Sequence, residues 1–350
     1  MQGRTGRTLP TAKHTHFISV INIFKMNPYI PLFAIFFSLN MSGQHPGAKI
    51  VSEHGNLNCI ELSNETTRVV LEPNLGGRVL VYALNGNNVL WINPENEGKP
   101  YVSGKRYGNP GAGRFDYGPE TTGPRKSHLF YGPWKGEITG PRQAIMTSEI
   151  DPVTGVTLER RFKLDEEGSH LACTQIIINI SNKTVRHYHW SRTFAKGGGI
   201  SLTPLNPHSR YPKGYLIYGP GKVMDYNPAD EPNVRVRDGV LEIIGPPNRP
   251  KFVMDCSKGW LGYITLDDQL FIKKFKIYPD RQYGDMAAPT VSVWYNKDMV
   301  CEIEPLGPLE ILEPGESAAF TEHWYLYDYT YPSDRNSNLK EVFQYIMKSR

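Results

Sequence analysis

The chain has 350 residues, 39% hydrophobic and 21% charged, with a formal net charge of +4. That is enough apolar material for a sizeable core, and the near-balanced charge lacks the basic footprint of a nucleic-acid binder. Its 33 glycines and 28 prolines are spread along the chain, which excludes a helical bundle and implies many short elements joined by turns.

Residues 1–25 read as an upstream extension, with Met26 as the better start. Residues 26–44 hold a short apolar run, 30–39, followed by small and polar residues. This resembles a secretory signal peptide or an N-terminal anchor, and it predicts an exported protein, periplasmic or secreted. The run is too short, and too broken by Pro28 and Pro31, for a membrane span. No later segment is apolar enough to be one.

From Asn56 onward the pattern is that of strands. Residues 58–62, 68–72 and 78–84 alternate or run apolar. Asn85-Gly86-Asn87-Asn88 is a hairpin signal ahead of Val89-Leu90-Trp91. Gly76-Gly77 marks a backbone position that tolerates no side chain. Residues 101–141 show no period and are rich in glycine, proline, aromatic and basic residues. A loop of that length inside a compact domain is usually functional. It carries Arg114, Asp116, Glu120, Arg125, His128, Tyr131 and Trp134. Strands resume at 144–150, 156–163 and 171–180. Residues 203–221 form a second irregular stretch, with His208, Arg210, Tyr211 and Tyr215. Short strands follow near Val234, Leu241 and Phe252, then at 261–266, 270–275, 291–295, 300–304 and 318–327. Leu339, Val342, Phe343, Ile346 and Met347 have the spacing of an amphipathic helix. The whole predicts an all-β, antiparallel sandwich over 50–330, with a short helix in 331–350 packing on it.

Four cysteines (Cys59, Cys173, Cys256 and Cys301) lack Cys-x-x-Cys spacing, which disfavours a zinc ribbon or redox motif. Their apolar surroundings read as buried thiols, with one disulfide allowed in an exported chain.

Candidate chemistry concentrates in His187-Tyr188-His189-Trp190-Ser191-Arg192-Thr193-Phe194. In a strand His187, His189 and Ser191 point one way, and Tyr188, Trp190 and Arg192 the other. Two imidazoles on one face are costly to bury without partners, so they are either satisfied within the sheet or line a cavity. Glu302 and Glu304 likewise share a face of the 301–308 stretch. The expectation is that both strands face one sugar-sized pocket. There Glu304 or Glu302 would act as base, and His189 or His187 as acid, in opening a pyranose ring near neutral pH. Arg114 or Arg192 would hold hydroxyls or a uronate carboxylate. Asp116, His208 and Arg210 join them as candidate substrate-binding residues.

A metal is the rival reading of His-x-His, but jelly-roll metalloenzymes place a glutamate three or four residues beyond the second histidine. Here Arg192 and Thr193 stand there, so neither metal nor other cofactor is expected. No Gly-x-Ser-x-Gly nucleophile motif occurs, and Gly197-Gly198-Gly199 lacks a phosphate loop's lysine–serine pair. Trp190, Trp294 and Trp324 read as core.

Gly76-Gly77-Arg78-Val79-Leu80, Asn88 to Trp91, the histidine strand, Glu302-Ile303-Glu304-Pro305, and Leu312 to Ser317 ahead of Glu322-His323-Trp324 together resemble the galactose mutarotase-like (aldose 1-epimerase-like) superfamily. Within it the chain is most similar to a bacterial domain family of unknown function. The resemblance covers residues 50–330 and implies a β-supersandwich with a carbohydrate pocket on its concave face. It also implies a glutamate base, matched best by Glu304, and a histidine acid near His187 and His189. Arg114 is the counterpart of the family's loop arginine. The Asn-Arg and His-Pro context of true aldose epimerases is missing. The expected partner is a mono- or oligosaccharide, bound with aldose 1-epimerase-like activity. A non-catalytic carbohydrate-binding module and a lyase for acidic polysaccharide, with Arg114, Arg125 and Arg210 neutralising uronates, are the alternatives.

Overall fold

The computed structural model describes residues 45–99, 109–119, 127–219, 223–297 and 299–349. The expected extension and export segment (1–25 and 26–44), Glu120 and Arg125 lie outside the described residues, as does the side chain of His128.

Two antiparallel sheets make the fold. The 12-stranded sheet joins, in spatial order, β1 (Ala48–Glu53), β2 (Asn56–Ser63), β3 (Thr67–Glu72), β4 (Arg78–Leu84), β6 (Gly113–Gly118), β11 (Val185–Lys196), β21 (Val300–Leu312), β20 (Val291–Asn296), β17 (Lys251–Met254), β13 (Tyr215–Tyr218) and β14 (Met224–Asp225), with β5 (Asn87–Asn88) paired to β4. The 10-stranded sheet runs β15 (Val234–Arg237), β16 (Val240–Ile243), β12 (Ile200–Pro204), β18 (Trp260–Ile264), β19 (Gln269–Phe275), β22 (Ser317–Asp328), β10 (Leu171–Asn179), β9 (Val156–Leu164), β8 (Gln143–Ser148) and β7 (Trp134–Gly140).

The main core lies between the sheets. Val79, Phe115 and Ile303 of the first meet Phe162, Phe271 and Trp324 of the second. Phe115 stacks on Trp324 with ring centroids 5.6 Å apart. Period-two alternation decides what enters this core. In β19, Phe271 and Phe275 face inward, while Leu270 and Ile272 face out beneath α2 (Leu339–Lys348). Leu339 and Val342 of α2 are buried there with Trp260 and Tyr325.

The strands expected from apolar runs are present, except that the return strand of the hairpin is Asn87–Asn88 rather than Val89 to Trp91, where Leu90 makes only an isolated bridge to Ala195. Asn85 and Gly86 both take positive φ, as the hairpin signal requires. A Cβ on Gly76 would meet the Phe130 carbonyl oxygen at 2.1 Å, and one on Gly77 would meet the Trp134 ring at 2.5 Å. All four cysteines are buried and free.

Two stretches read as irregular contain strands. Residues 101–141 include β6, a short helix α1 (Ser127–Tyr131) and β7, and 203–221 include β13. β6 is buried on both faces, so Arg114 and Asp116 alternate with Phe115 and Tyr117 and no apolar run betrays it. β21 also continues eight residues past the expected end at Glu304, through Pro305 and Pro308. A register shift opposite Tyr188 and Trp190 absorbs the irregularity.

Candidate active site

β11 lies between β6 and β21, and antiparallel partners project on the same side. Ser191 pairs with Phe115, His189 with Tyr117 and Thr193 with Ile303, all on the inner, core side. Arg192 pairs with Arg114, Trp190 with Asp116 and Phe194 with Glu302 on the outer side. β20 and β17 extend that outer face, where Trp294 stands beside Glu302 and Lys251 beside Trp294.

The outer face gathers three cations on three carboxylates. Arg114 Nη2 donates to Asp116 Oδ2 at 2.5 Å, and Arg192 Nη1 lies 3.5 Å from the same oxygen. Arg192 Nε donates to Glu302 Oε1 at 2.7 Å. Lys251 Nζ donates to Glu304 Oε2 at 2.6 Å, and the Trp190 indole N–H reaches that oxygen at 3.1 Å. The Arg192 guanidinium and the Lys251 ammonium both lie over the Trp190 ring, 5.3 and 5.5 Å from its centroid. Asp285, on the loop before β20, accepts from the Tyr188 hydroxyl at 2.9 Å and feels the charges of Lys251 and Glu304. Glu302 and Glu304 are about fully buried, whereas the Arg192 and Lys251 side chains are 16% and 18% exposed and form the solvent-facing layer.

The surroundings shift the two glutamates in opposite directions. Burial pushes the Glu302 carboxyl up, against the pull of Arg192, and the neighbouring Glu304 charge pushes it further. Burial opposes ionisation of Glu304 too, but Lys251, the Glu302 carboxyl and Arg192 outweigh it and hold Glu304 low. Glu304 Oε1 is buried with no donor against it, and the Glu302 carboxyl lies close enough to help hold Glu304 low. The directions of the two shifts favour a proton on Glu302 beside an ionised Glu304, with Glu302 still accepting from Arg192. The pair thus holds an acid and a base side by side.

The histidines are elsewhere. His189 is fully buried between the sheets, its ring stacked on Phe320 at 5.7 Å, with backbone groups of Ala318 and Gln175 in reach. Burial lowers its pKa to about 3. His187 sits edge-on against Tyr117 at 4.8 Å, and its Nδ1 is 3.1 Å from the Gly118 carbonyl oxygen. The expectation that these imidazoles share a pocket with Glu304 is therefore corrected. Strand alternation sends the glutamates to the outer face and the histidines to the inner one. The same separation removes a joint histidine–carboxylate metal site, and no metal-holding cluster of His, Cys, Asp and Glu occurs among the described residues.

Of the expected residues, Arg114, Asp116, Arg192, Glu302 and Glu304 come together. His208 is exposed on the loop before β13. Arg210 is held by Asp255 at 3.3 Å rather than by the cluster. Trp324 is core as expected, and Trp190 is buried too, in a small apolar cluster with Tyr188 and Leu306 on the outer face, whereas Trp294 is partly exposed beside the acids. Sequence reasoning missed Lys251, which heads an apolar strand as many surface lysines do. It also passed over Asp285, which lies in a polar, aromatic stretch, 278–285, between two strands.

An antiparallel two-sheet sandwich with a charged acid pair on one outer face is the class that fold and site define. No protein-family model matches the sequence, and no curated protein matches it. Solved structures do. A galactose mutarotase-like protein from Clostridium acetobutylicum is 11% identical with a TM-score of 0.55, over 81% of this chain and 99% of that one. One from Lactobacillus casei is 12% identical with a TM-score of 0.54, over 77% and 100%. A galactose mutarotase related enzyme from Lactobacillus acidophilus is 13% identical with a TM-score of 0.52, over 78% and 98%. The chain has the galactose mutarotase-like fold.

Proposed function

We propose that the outer-face cluster binds a saccharide and interconverts its anomers. Glu304 takes the proton of the anomeric hydroxyl while Glu302 gives its proton to the ring oxygen. The bond between the anomeric carbon and the ring oxygen breaks, and the anomeric oxygen becomes a carbonyl. After rotation about the bond to the next carbon, the reverse transfers close the ring on its other face and restore both carboxyls. The observation that carries this reading is the adjacency of two buried carboxyls under Arg192 and Lys251, where the surroundings push Glu302 up and hold Glu304 low. A carboxyl kept neutral near pH 7 can serve as the acid that the histidines, facing the core, cannot. Arg192, Lys251 and the Trp190 and Trp294 rings supply donors and apolar surface for sugar hydroxyls and ring faces. The mutarotase names borne by proteins of the same fold support a sugar as the ligand.

Uronate binding is less favoured, because Arg114 and Arg192 already share the Asp116 carboxylate and Lys251 meets that of Glu304. We propose further that residues 26–44 are a signal peptide or N-terminal anchor, so that the saccharide is met outside the cytoplasm; N-terminal sequencing of the mature protein checks this.

The test is a thermal-shift screen against monosaccharides, uronic acids and oligosaccharides, followed by polarimetry of anomer exchange. A bound ligand raises the melting temperature by mass action. Glu304→Gln is expected to lower anomer exchange at least about 100-fold while leaving sugar affinity within about three-fold. Unchanged exchange in a folded Glu304→Gln protein would sink the catalytic reading. Binding without exchange in the wild type would reduce the protein to a carbohydrate-binding module.

A further inference from the structure

We propose that Lys273 is a positioning residue for the acid pair, fastening β11 and β21 from the inner face at the points that carry Arg192, Glu302 and Glu304. Its catalytic consequence rests on the function proposed above; its structural part does not.

Lys273 lies on β19 of the opposite sheet and is fully buried. Its ammonium donates to Ser191 Oγ at 2.8 Å and Thr193 Oγ1 at 2.9 Å, the two residues flanking Arg192. It also reaches the carbonyl oxygen of Ile303 at 3.3 Å, the residue between Glu302 and Glu304. Its counter-ion is Glu322 at 2.8 Å, which accepts in turn from the Trp324 indole at 2.9 Å. One ammonium thus spans two strands of the far sheet and holds both within the segments whose outward side chains make the site. β6 is fastened from the same side. Gln175 Nε2 donates to the Asp116 carbonyl oxygen at 2.8 Å, and the Arg160 guanidinium to that of Phe115.

Stability alone does not account for this. A buried ion pair is often replaceable by apolar residues of similar volume without loss, because desolvation offsets the attraction. What such a pair adds here is a fixed distance between β11 and β21, on which the Arg192–Glu302 and Trp190–Glu304 bonds depend. Glu322, Cys173 and, through the sheet, Glu304 are the titratable groups acting on the ammonium.

Two double variants test the assignment. Lys273→Met with Glu322→Gln removes both charges and keeps an acceptor for Trp324. Ser191→Ala with Thr193→Val leaves the ion pair in place but cuts the link to β11. Folding is checked by circular dichroism and thermal unfolding. Carbon-13 NMR of protein labelled at the glutamate carboxyls then follows the pair's two titrations, assigned with Glu302→Gln and Glu304→Gln. In folded variants the two titrations are expected to converge by about one pH unit or more. The kcat for anomer exchange is expected to fall at least about ten-fold with KM changed less than about three-fold. Folded variants with wild-type titrations and wild-type kcat overturn the proposal and leave Lys273 a core residue. Converging titrations in a protein whose wild type exchanges no anomers uphold the positioning role and refute the proposed function instead.

Discussion

His189 and Glu302 are both buried, and burial moves their pH dependence in opposite senses. Both favour the neutral form. His189 titrates lower in the folded chain than unfolded, so its contribution is complete above about pH 6.5 and is lost as pH falls toward about 3. Glu302 titrates higher when folded, so its contribution is complete below the ordinary carboxyl range near pH 4.3 and is lost as pH rises into the neutral range. Glu304, held low, loses its contribution only in acid. In the overlap, from about pH 4.5 to 6.5, the slopes from His189 and Glu302 oppose each other; above it only Glu302 is left of the three. Thermal unfolding as a function of pH is expected to show stability declining above about pH 6.5, by at most about 1.4 kcal/mol per pH unit from this carboxyl. Glu302→Gln, which mimics the neutral acid, should flatten that decline. A decline of the same slope in the variant would mean that Glu302 is ionised in the folded protein. The chemistry of these residues was legible in the sequence as residue type, two glutamates and two histidines in strands. Their separation was not, because alternation within a strand says which residues share a face and not which face meets the other sheet.

Between elements, the side chain of Tyr188 shows how closely β6, β11 and the 276–290 loop approach. A Cβ on Gly118 would lie 1.8 Å from the Tyr188 ring, and one on Gly284 would lie 2.5 Å from it. The ring is slotted between two glycines, and its hydroxyl holds Asp285 at the edge of the site. Gly118→Ala and Gly284→Ala should each cost about 1–3 kcal/mol through overpacking, measured by chemical denaturation. Tyr188→Phe, which leaves the slot filled, should instead keep most of the stability and weaken sugar binding. If the alanine variants unfold at the wild-type denaturant concentration, the slot is not a constraint. The β-branched and aromatic runs behind β4, β9, β10 and β20 made those strands readable. β6 was hidden for the reason that makes it useful: its alternate residues face a core and a charged site, so polar and aromatic types mix without an apolar run.

Across the whole fold, the two outer faces are treated differently. The 10-stranded sheet turns Leu270 and Ile272 outward and needs α2 to cover them. The 12-stranded sheet turns its charged cluster outward. Terminating the chain at Asp334 should therefore expose Trp260 and Tyr325, shift tryptophan emission to the red and cost about 3–6 kcal/mol for the lost burial of Leu339 and Val342. Sugar binding, on the other sheet, should survive within about three-fold at temperatures where the truncated chain stays folded. Loss of binding in a folded truncated protein would show that the two faces are linked.

The sequence by itself determined the all-β class, most strand positions, the C-terminal helix and the residue types of the acid pair. Period-two alternation, turn residues and helical spacing are local signals, and each is written within a few neighbouring residues. Only the tertiary structure decided that β6 lies beside β11, that Lys251 and Asp285 belong with Glu304, and that both histidines face the core. Those facts depend on strand order and on which face of a sheet is covered. They bring together residues from Arg114 to Glu304 that no local pattern connects.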